Sequence, residues 1–224
     1  MPAPRTDALP DAASASLSDS LNGWRPRLIA IATAGAENDG DGAHDLSHLH
    51  RVWHAAQALL AEHPEADALV VLAACYLHDL VNLPKNHPER AQASRLAARC
   101  ACERLAQAAF PAERLAGVAH AIEAMIMQDA DRLDALGAVG LARLFYTAGR
   151  MGSACAHPDD PLGTRRPLDD RAYALDHIEL KLAQLPAGMR TAAGRKLGES
   201  RLDWLRAFRA TFVAEWVTAD DRGM

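Results

Sequence analysis

The sequence predicts an all-α domain. Apolar residues recur at helical spacing through most of the 224 residues, no stretch alternates apolar and polar residues as a half-buried strand does, and no internal repeat is found. Half of the chain is apolar, enough to bury a substantial core without staples.

The elements follow in order. Residues 1–21, rich in Ala, Ser, Asp and Pro, carry little periodicity and are expected to be a disordered arm or tag-like leader. Trp24, Leu28 and Ile31 mark a helix from Trp24 to Ala34, which the Gly/Asp/Asn-rich stretch from Gly35 to Gly42 ends as a loop. From Ser47 to Glu62, Leu49, Val52, Ala56, Leu59 and Leu60 share one side of a second helix. Pro64 is expected to start the next. Residues 67–81 are apolar nearly all round; their length and alanine content favour a central helix over a buried strand. Pro84 stops it, and Lys85 to Arg90 form a polar loop leading into an alanine-rich helix over 89–107. Pro111 opens a helix toward His120 and Glu123, and 126–149 again show helical spacing, with Gly137 and Gly140 permitting close packing. A Gly/Pro-rich loop spans about 149–168. Tyr173–Leu185 and Ala193–Val217 read as two amphipathic helices, and 218–224 as a flexible end. The expected organisation is thus one domain over 22–217.

Composition narrows the function. A formal charge of −5 gives no global attraction for long nucleic acid or an anionic membrane, so an anionic substrate must be held by a local device. No apolar run approaches the ~20 residues that span a bilayer, and the first residues lack the apolar centre of a signal peptide. A cytoplasmic protein is expected. Cys75, Cys100, Cys102 and Cys155 form no CxxC pair and are expected to be reduced, with Cys75 and Cys100 in the core.

The chemistry concentrates in three places. His44 and His48 are four residues apart, and Arg51 follows three later; alone, such a pair is more often a capping or surface feature. The His78-Asp79 pair changes that weighting, because a charged Asp in so apolar a helix is costly unless paired or metal-bound. Successive helix positions diverge by ~100°, so both side chains reach one ion only where the helix faces it squarely or is ending. The segment from Gln128 to Asp134 adds three carboxylates: Asp131 and Asp134 share a face, while Asp129 points elsewhere. One division puts Asp131 on a metal and Asp134 behind a ligand or against a basic residue. Imidazoles mixed with carboxylates favour one divalent Mn, Mg, Fe, Co or Ni ion over a thiolate-bound structural zinc.

The set His48, Arg51-Val52, His78-Asp79 and Asp131 within DADRLD resembles the HD superfamily of metal-dependent phosphohydrolases. More closely, it is similar to a branch of uncharacterised bacterial HD hydrolases typified by the YedJ protein. HDLSHLHRVW, ACYLHDLVNLPKNHPERA, QDADRLDALGAVGLAR and RPLDDRAYALDHIELKLAQLP follow that branch's order over about residues 22–217. The resemblance implies an all-α HD-domain bundle with additional C-terminal helices. It also implies His48, His78, Asp79 and Asp131 as metal ligands, and a metal-bound water or hydroxide as nucleophile on phosphorus. One departure stands out. In similar proteins the helix ending near Ala124 continues into a His-containing loop of roughly a dozen or more residues, whereas here Ala124 runs through Met125 into Ile126. A mononuclear site is therefore expected.

The expected activity is a phosphomonoesterase or phosphodiesterase acting on a small phosphorylated molecule, most plausibly a nucleotide. Asp79, His44 and Asp134 are the candidate catalytic residues, the last two to orient the water or carry its proton. Arg51, Lys85, Asn86, Arg90, Arg132 and His177 are the candidates for holding substrate, and Tyr173, His177 and Lys181 form one stripe that could close the pocket. The alternative is a catalytically weak or inactive module that senses a nucleotide; a two-iron oxygenase needs more ligands than can be counted. Trp204, Leu205, Phe208, Phe212 and Trp216 suit either the inner face of a terminal helix, which is the expectation, or a homodimer seam.

Overall fold

The computed structural model describes residues 12–34, 46–81, 88–89, 92–123 and 125–216. Among them there is no strand, and the fold is all α, with one isolated bridge between Ala154 and Tyr173. None of the described helices is long and apolar enough to cross a membrane.

The centre is α3 (Ala68–Leu77), and its apolar circumference is explained by what surrounds it. It packs against α1 (Ala12–Thr33), α2 (Leu46–Leu60) and α5 (Ala112–Glu123), with α4 (Ala93–Gln107) and α6 (Met125–Asp134) touching it more lightly. Leu72, Ala73, Ala74, Cys75, Tyr76 and Leu77 are buried around its whole girth. Asp67 caps its start, accepting from the Leu69 and Val70 amides at 2.9 and 3.3 Å, so the helix begins four residues beyond Pro64. The Tyr76 hydroxyl meets Arg25 Nε at 2.9 Å and His50 Nδ1 at 2.7 Å, which ties the first three helices together.

Helix α1 reaches twelve residues further upstream than Trp24 would suggest. Residues 12–21, expected in the disordered arm, are helical because Ala and Leu are good helix formers and Leu21 extends the Trp24/Leu28 stripe onto the core. Residues 1–11 and 217–224 lie outside the described residues. Cys75 is buried as expected, but Cys100 is only half-buried; all four cysteines are free.

Helix α6 reverses into α7 (Gly137–Arg150) through Ala135 and Leu136. The turn needs both glycines. Gly137 has φ +74°, and a Cβ on Gly140 would sit 2.1 Å from the Ala135 carbonyl oxygen. Beyond α7 a long loop is fixed by two aspartates. Asp160 accepts from the Thr164 and Arg165 amides, and the fully buried Asp176 takes a bidentate pair from Arg166 at 2.6 and 2.9 Å.

The single helix expected over Tyr173–Leu185 is instead α8 (Asp176–Leu180), a 3₁₀ turn over Leu182–Gln184 and α9 (Leu185–Gly188). Lys181 leaves helical geometry at φ −130°. The last helix, α10 (Ala192–Glu215), packs on α7, α9 and α6. Its buried face is Leu202 and Leu205. Phe208 and Phe212 lie against Phe145 of α7, whereas Trp204 is 44% exposed rather than inward.

Candidate metal centre

Packing of α2 on α6 beside the end of α3 brings four of the candidate residues to one point. His48 faces α6 from the first turn of α2 and is 1% exposed. Its Nδ1 donates to Asp134 Oδ2 at 2.8 Å, so Nε2 is the atom presented to the opposite side. That Nε2 lies 3.5 Å from Asp79 Oδ2 and 3.6 Å from Asp131 Oδ1.

His78 is the C-cap of α3, where the helix opens. Its Nδ1 donates to the Cys75 carbonyl at 3.0 Å, and since a carbonyl only accepts, the proton belongs on Nδ1. Nε2 is then the atom turned to the cluster. It is buried and makes no hydrogen bond among the described residues, with Asp79 Oδ2 at 3.4 Å and Asp131 Oδ1 at 3.9 Å. Ligand atoms of His48, His78 and Asp131 all lie within 4.8 Å of one another.

A buried nitrogen lone pair is costly without a proton or a cation to meet it. Here the Nε2 atoms of His48 and His78 face two carboxylates, and each ring is oriented through its far nitrogen by an acceptor, as metal-bound imidazoles are. The donor set fits a divalent ion with mixed nitrogen and oxygen coordination.

Asp134 stands behind His48 rather than at the meeting point. It is buried, and besides His48 it accepts from Arg51 Nε at 2.6 Å, from Arg51 Nη2 at 3.2 Å and from Arg143 Nη1. Burial would raise its pKa, but the hydrogen bonds from His48 and Arg51 and the charge of Arg143 outweigh that and hold the carboxyl well below the ordinary range. For His48, burial would lower the pKa, yet bonds to Asp134 and Asp79 and the charge of Asp131 carry it from 6.5 up to about 9 when no cation competes.

Two clefts meet at the cluster. One, of about 440 Å³, is lined by His78, Asp79, Gln128, Asp131 and Arg132. The other, of about 810 Å³, shares Asp131 and Arg132 and adds Arg143, Arg171, His177 and Lys181, with Leu144, Leu182 and Leu185 as its apolar wall.

The structure therefore gathers His48, His78, Asp79 and Asp131, with Asp134 one layer behind. Arg132 and His177 line the clefts, but both are engaged. Arg132 donates to the Gly188 carbonyl at 2.9 Å, and His177 bonds Asp170 at 2.9 Å, alongside Lys181 at 2.5 Å. Arg51, expected against substrate, is bound to Asp134 and lines a different cavity. Tyr173 turns away to the loop, with Arg166 4.5 Å above its ring. His44, Lys85, Asn86 and Arg90 lie outside the described residues.

Sequence reasoning missed Arg143 and Asp170. The available signal for Arg143 was a lone cation among Val139, Leu141 and Leu144 of α7, an expensive place for a charge without a partner.

Comparison with known proteins supplies relatives. A family model described as "HD domain" matches residues 45–136. The uncharacterized protein YpgQ of Bacillus subtilis (strain 168) is 30% identical over 188 residues, covering 76% of this chain and 83% of that protein. The crystal structure of YpgQ in complex with ADP superimposes with TM-score 0.65 at 27% identity, over 89% of this chain and 96% of that one. An HD-superfamily hydrolase from Bacillus thuringiensis superimposes with TM-score 0.67 at 27% identity, over 89% and 98%.

Proposed function

The chain belongs to the HD superfamily of hydrolases, and from that premise we propose that residues 22–217 form one metal-dependent phosphohydrolase domain acting on a small phosphorylated molecule, a nucleotide in the first instance. The observation that carries the reading is the buried Nε2 of His78, without a hydrogen-bond partner among the described residues and directed at the carboxylates of Asp79 and Asp131 beside the second imidazole of His48.

His48, His78, Asp79 and Asp131 would hold one divalent ion, with Mn, Mg, Fe, Co and Ni as candidates. Bound there, such an ion supplies a Lewis acid for a phosphoryl oxygen and a more acidic water at neutral pH. The remaining work falls to the chain. Asp134 keeps the proton of His48 on Nδ1 and the Nε2 lone pair toward the cluster. Cys75 does the same for His78 through its carbonyl. Arg132, Arg143, Arg171 and Lys181 make the larger cleft cationic in an otherwise acidic protein, which answers the need for a local anion-holding device. Leu144, Leu182 and Leu185 give that cleft an apolar wall suited to a base or sugar face. The complex of YpgQ with ADP supports a nucleotide as the ligand class.

A second reading, a nucleotide-sensing module with little or no turnover, is favoured by the join of α5 to α6. Only one residue separates Glu123 from Met125, where the resemblance to HD hydrolases implies a His-containing loop. One experiment separates the two. Mn²⁺ is titrated into metal-stripped protein by calorimetry, and phosphate release is followed over a nucleotide panel, with Asp79→Ala alongside. One site lost in the variant together with turnover supports the hydrolase. Nucleotide affinity without release across the panel selects the sensor, and no metal binding at all overturns the metal site.

A further inference from the structure

Apart from the two clefts at the cluster, the fold leaves a third cavity of about 490 Å³ on the far side of Asp134. Its walls come from α2, the start of α7 and the middle of α10. The one carboxylate on its lining is Asp134, and that charge is already met by His48, Arg51 and Arg143. The other polar groups are cationic or proton-donating: the Arg51 and Arg201 guanidiniums, the His54 imidazole and the Ser200 hydroxyl. We propose that this cavity is a second anion site, shaped for the phosphoryl group of a small organic phosphate and separate from the metal cluster.

Arg201 is the first reason. It projects from α10 in a half-buried position, donates to the Leu133 carbonyl and has no carboxylate partner among the described residues. Burial pushes its pKa below the usual guanidinium value, with Asp134 opposing that shift only through space. A guanidinium held so close to the interior without a counter-ion is the group that a phosphate oxygen pair satisfies in bidentate fashion.

The second reason is what faces it. Helix α7 begins at Gly137 with no side-chain cap from Leu136 and no acidic residue in its first turn. The first three residues of α7 line the same cavity as Arg51 and Arg201, which brings the positive end of that helix to it. The Arg201 guanidinium of α10 thus shares the cavity with the start of α7.

Size and rim fix the rest of the ligand. The cavity falls within the ~300–1,000 Å³ of small-molecule sites, far more than bare phosphate fills. Trp204 stands at its edge, 44% exposed, offering an indole face to a planar group. The His48 ring and Asp134 lie between this cavity and the Asp79 and Asp131 oxygens, so a ligand here does not reach the cluster.

The test uses the full chain with EDTA present, so that neither metal binding nor turnover contributes and the outcome is independent of the proposed activity. Inorganic phosphate and phenyl phosphate are titrated by calorimetry into the unaltered protein and into Arg201→Ala, Ser200→Glu and Trp204→Ala. Ser200 is exposed on α10, so its variant places a carboxylate at the cavity mouth without disturbing the core; circular dichroism verifies the fold. The expected result is binding of both probes, weakened at least about tenfold by Arg201→Ala and by Ser200→Glu. Trp204→Ala should weaken phenyl phosphate more than inorganic phosphate. Failure of either probe to bind the unaltered chain, or binding that survives Ser200→Glu, overturns the proposal whatever Arg201→Ala does.

Discussion

His48 donates from Nδ1 to Oδ2 of Asp134 at 2.8 Å, a bond between residues 86 positions apart that decides which face of the imidazole looks into the cluster. Arg51 and Arg143 hold the same carboxylate from its other sides, so the orientation of one candidate ligand depends on three elements at once. Replacing Asp134 by Asn keeps its size but removes the charge. Mn²⁺ affinity should fall by ~10–100-fold, the usual consequence of losing the partner behind a metal-bound histidine. Stability should fall by about 3 kcal/mol, the low end for breaking a buried ion pair because both arginines keep some solvent contact. Calorimetric titration and urea unfolding read the two separately; an unchanged Mn²⁺ affinity would show that Asp134 does not position His48.

The proton on His48 sets a pH dependence. Without a cation its pKa is raised from 6.5 to about 9, so at neutral pH a bound ion must displace that proton. Apparent Mn²⁺ affinity should climb roughly tenfold per pH unit up to about pH 9 and then level off. The stability sign is the reverse for the metal-free fold. Because the folded pKa is the higher one, the contribution is complete below pH 6.5 and disappears as pH rises through about 9. Titrations in buffers of different ionisation enthalpy count the released proton, and an affinity flat between pH 6.5 and 9 contradicts the scheme.

How legible each residue was follows from where its partner lies. His78 and Asp79 stood out because two polar groups end a helix otherwise apolar on every side, a conflict that local sequence displays by itself. Asp134 behind a ligand was readable from its three-residue spacing to Asp131. Asp129 was not, because what it does depends on Arg190 and Thr191, more than sixty residues away. The stripe Tyr173, His177, Lys181 misled for the opposite reason: the spacing is helical, but the chain breaks at Lys181, where His177 and Lys181 both close on Asp170 and Asp176 is pinned by Arg166. Periodicity reports local compatibility and is blind to such charge pairs. Helix α1 shows the converse, since low complexity suggested disorder where Ala and Leu propensity together with a core stripe suffices for helix.

Asp129 should prove a structural anchor, not part of the metal site. It is fully buried, accepting from the Arg190 amide at 3.0 Å and from the Thr191 amide and hydroxyl at 2.8 Å each, which fastens α6 to the start of α10. Asp129→Ala leaves these donors unsatisfied at a cost of about 3 kcal/mol. For a chain of this size that is a drop of about 6–12 °C in melting temperature. Mn²⁺ affinity below the transition should stay within about threefold, a difference too small for a lost ligand. A loss of metal binding in a folded Asp129→Ala protein would require the cluster to be redrawn.

Lys181 offers the cleanest probe of the larger cleft, because it combines a place on the cleft wall with little structural duty. Its ammonium is 2.5 Å from Asp170, but the side chain is 57% exposed, and exposed pairs contribute only about 0–1 kcal/mol. Lys181→Ala should therefore unfold at nearly the same temperature as the unaltered chain. If the cleft holds the phosphates of a nucleotide, removing one cation should raise KM or Kd for a nucleoside diphosphate by about tenfold, as for a lost charge-assisted hydrogen bond. Mn²⁺ affinity should not move, since Lys181 touches none of His48, His78, Asp79 or Asp131. Asp170→Asn gives the control: it frees Lys181 and His177 from their shared carboxylate and should leave nucleotide affinity equal or tighter. Nucleotide affinity unchanged in both Lys181→Ala and Asp170→Asn would place the ligand elsewhere, along the smaller cleft beside Gln128, and would separate the two clefts functionally although they share Asp131 and Arg132.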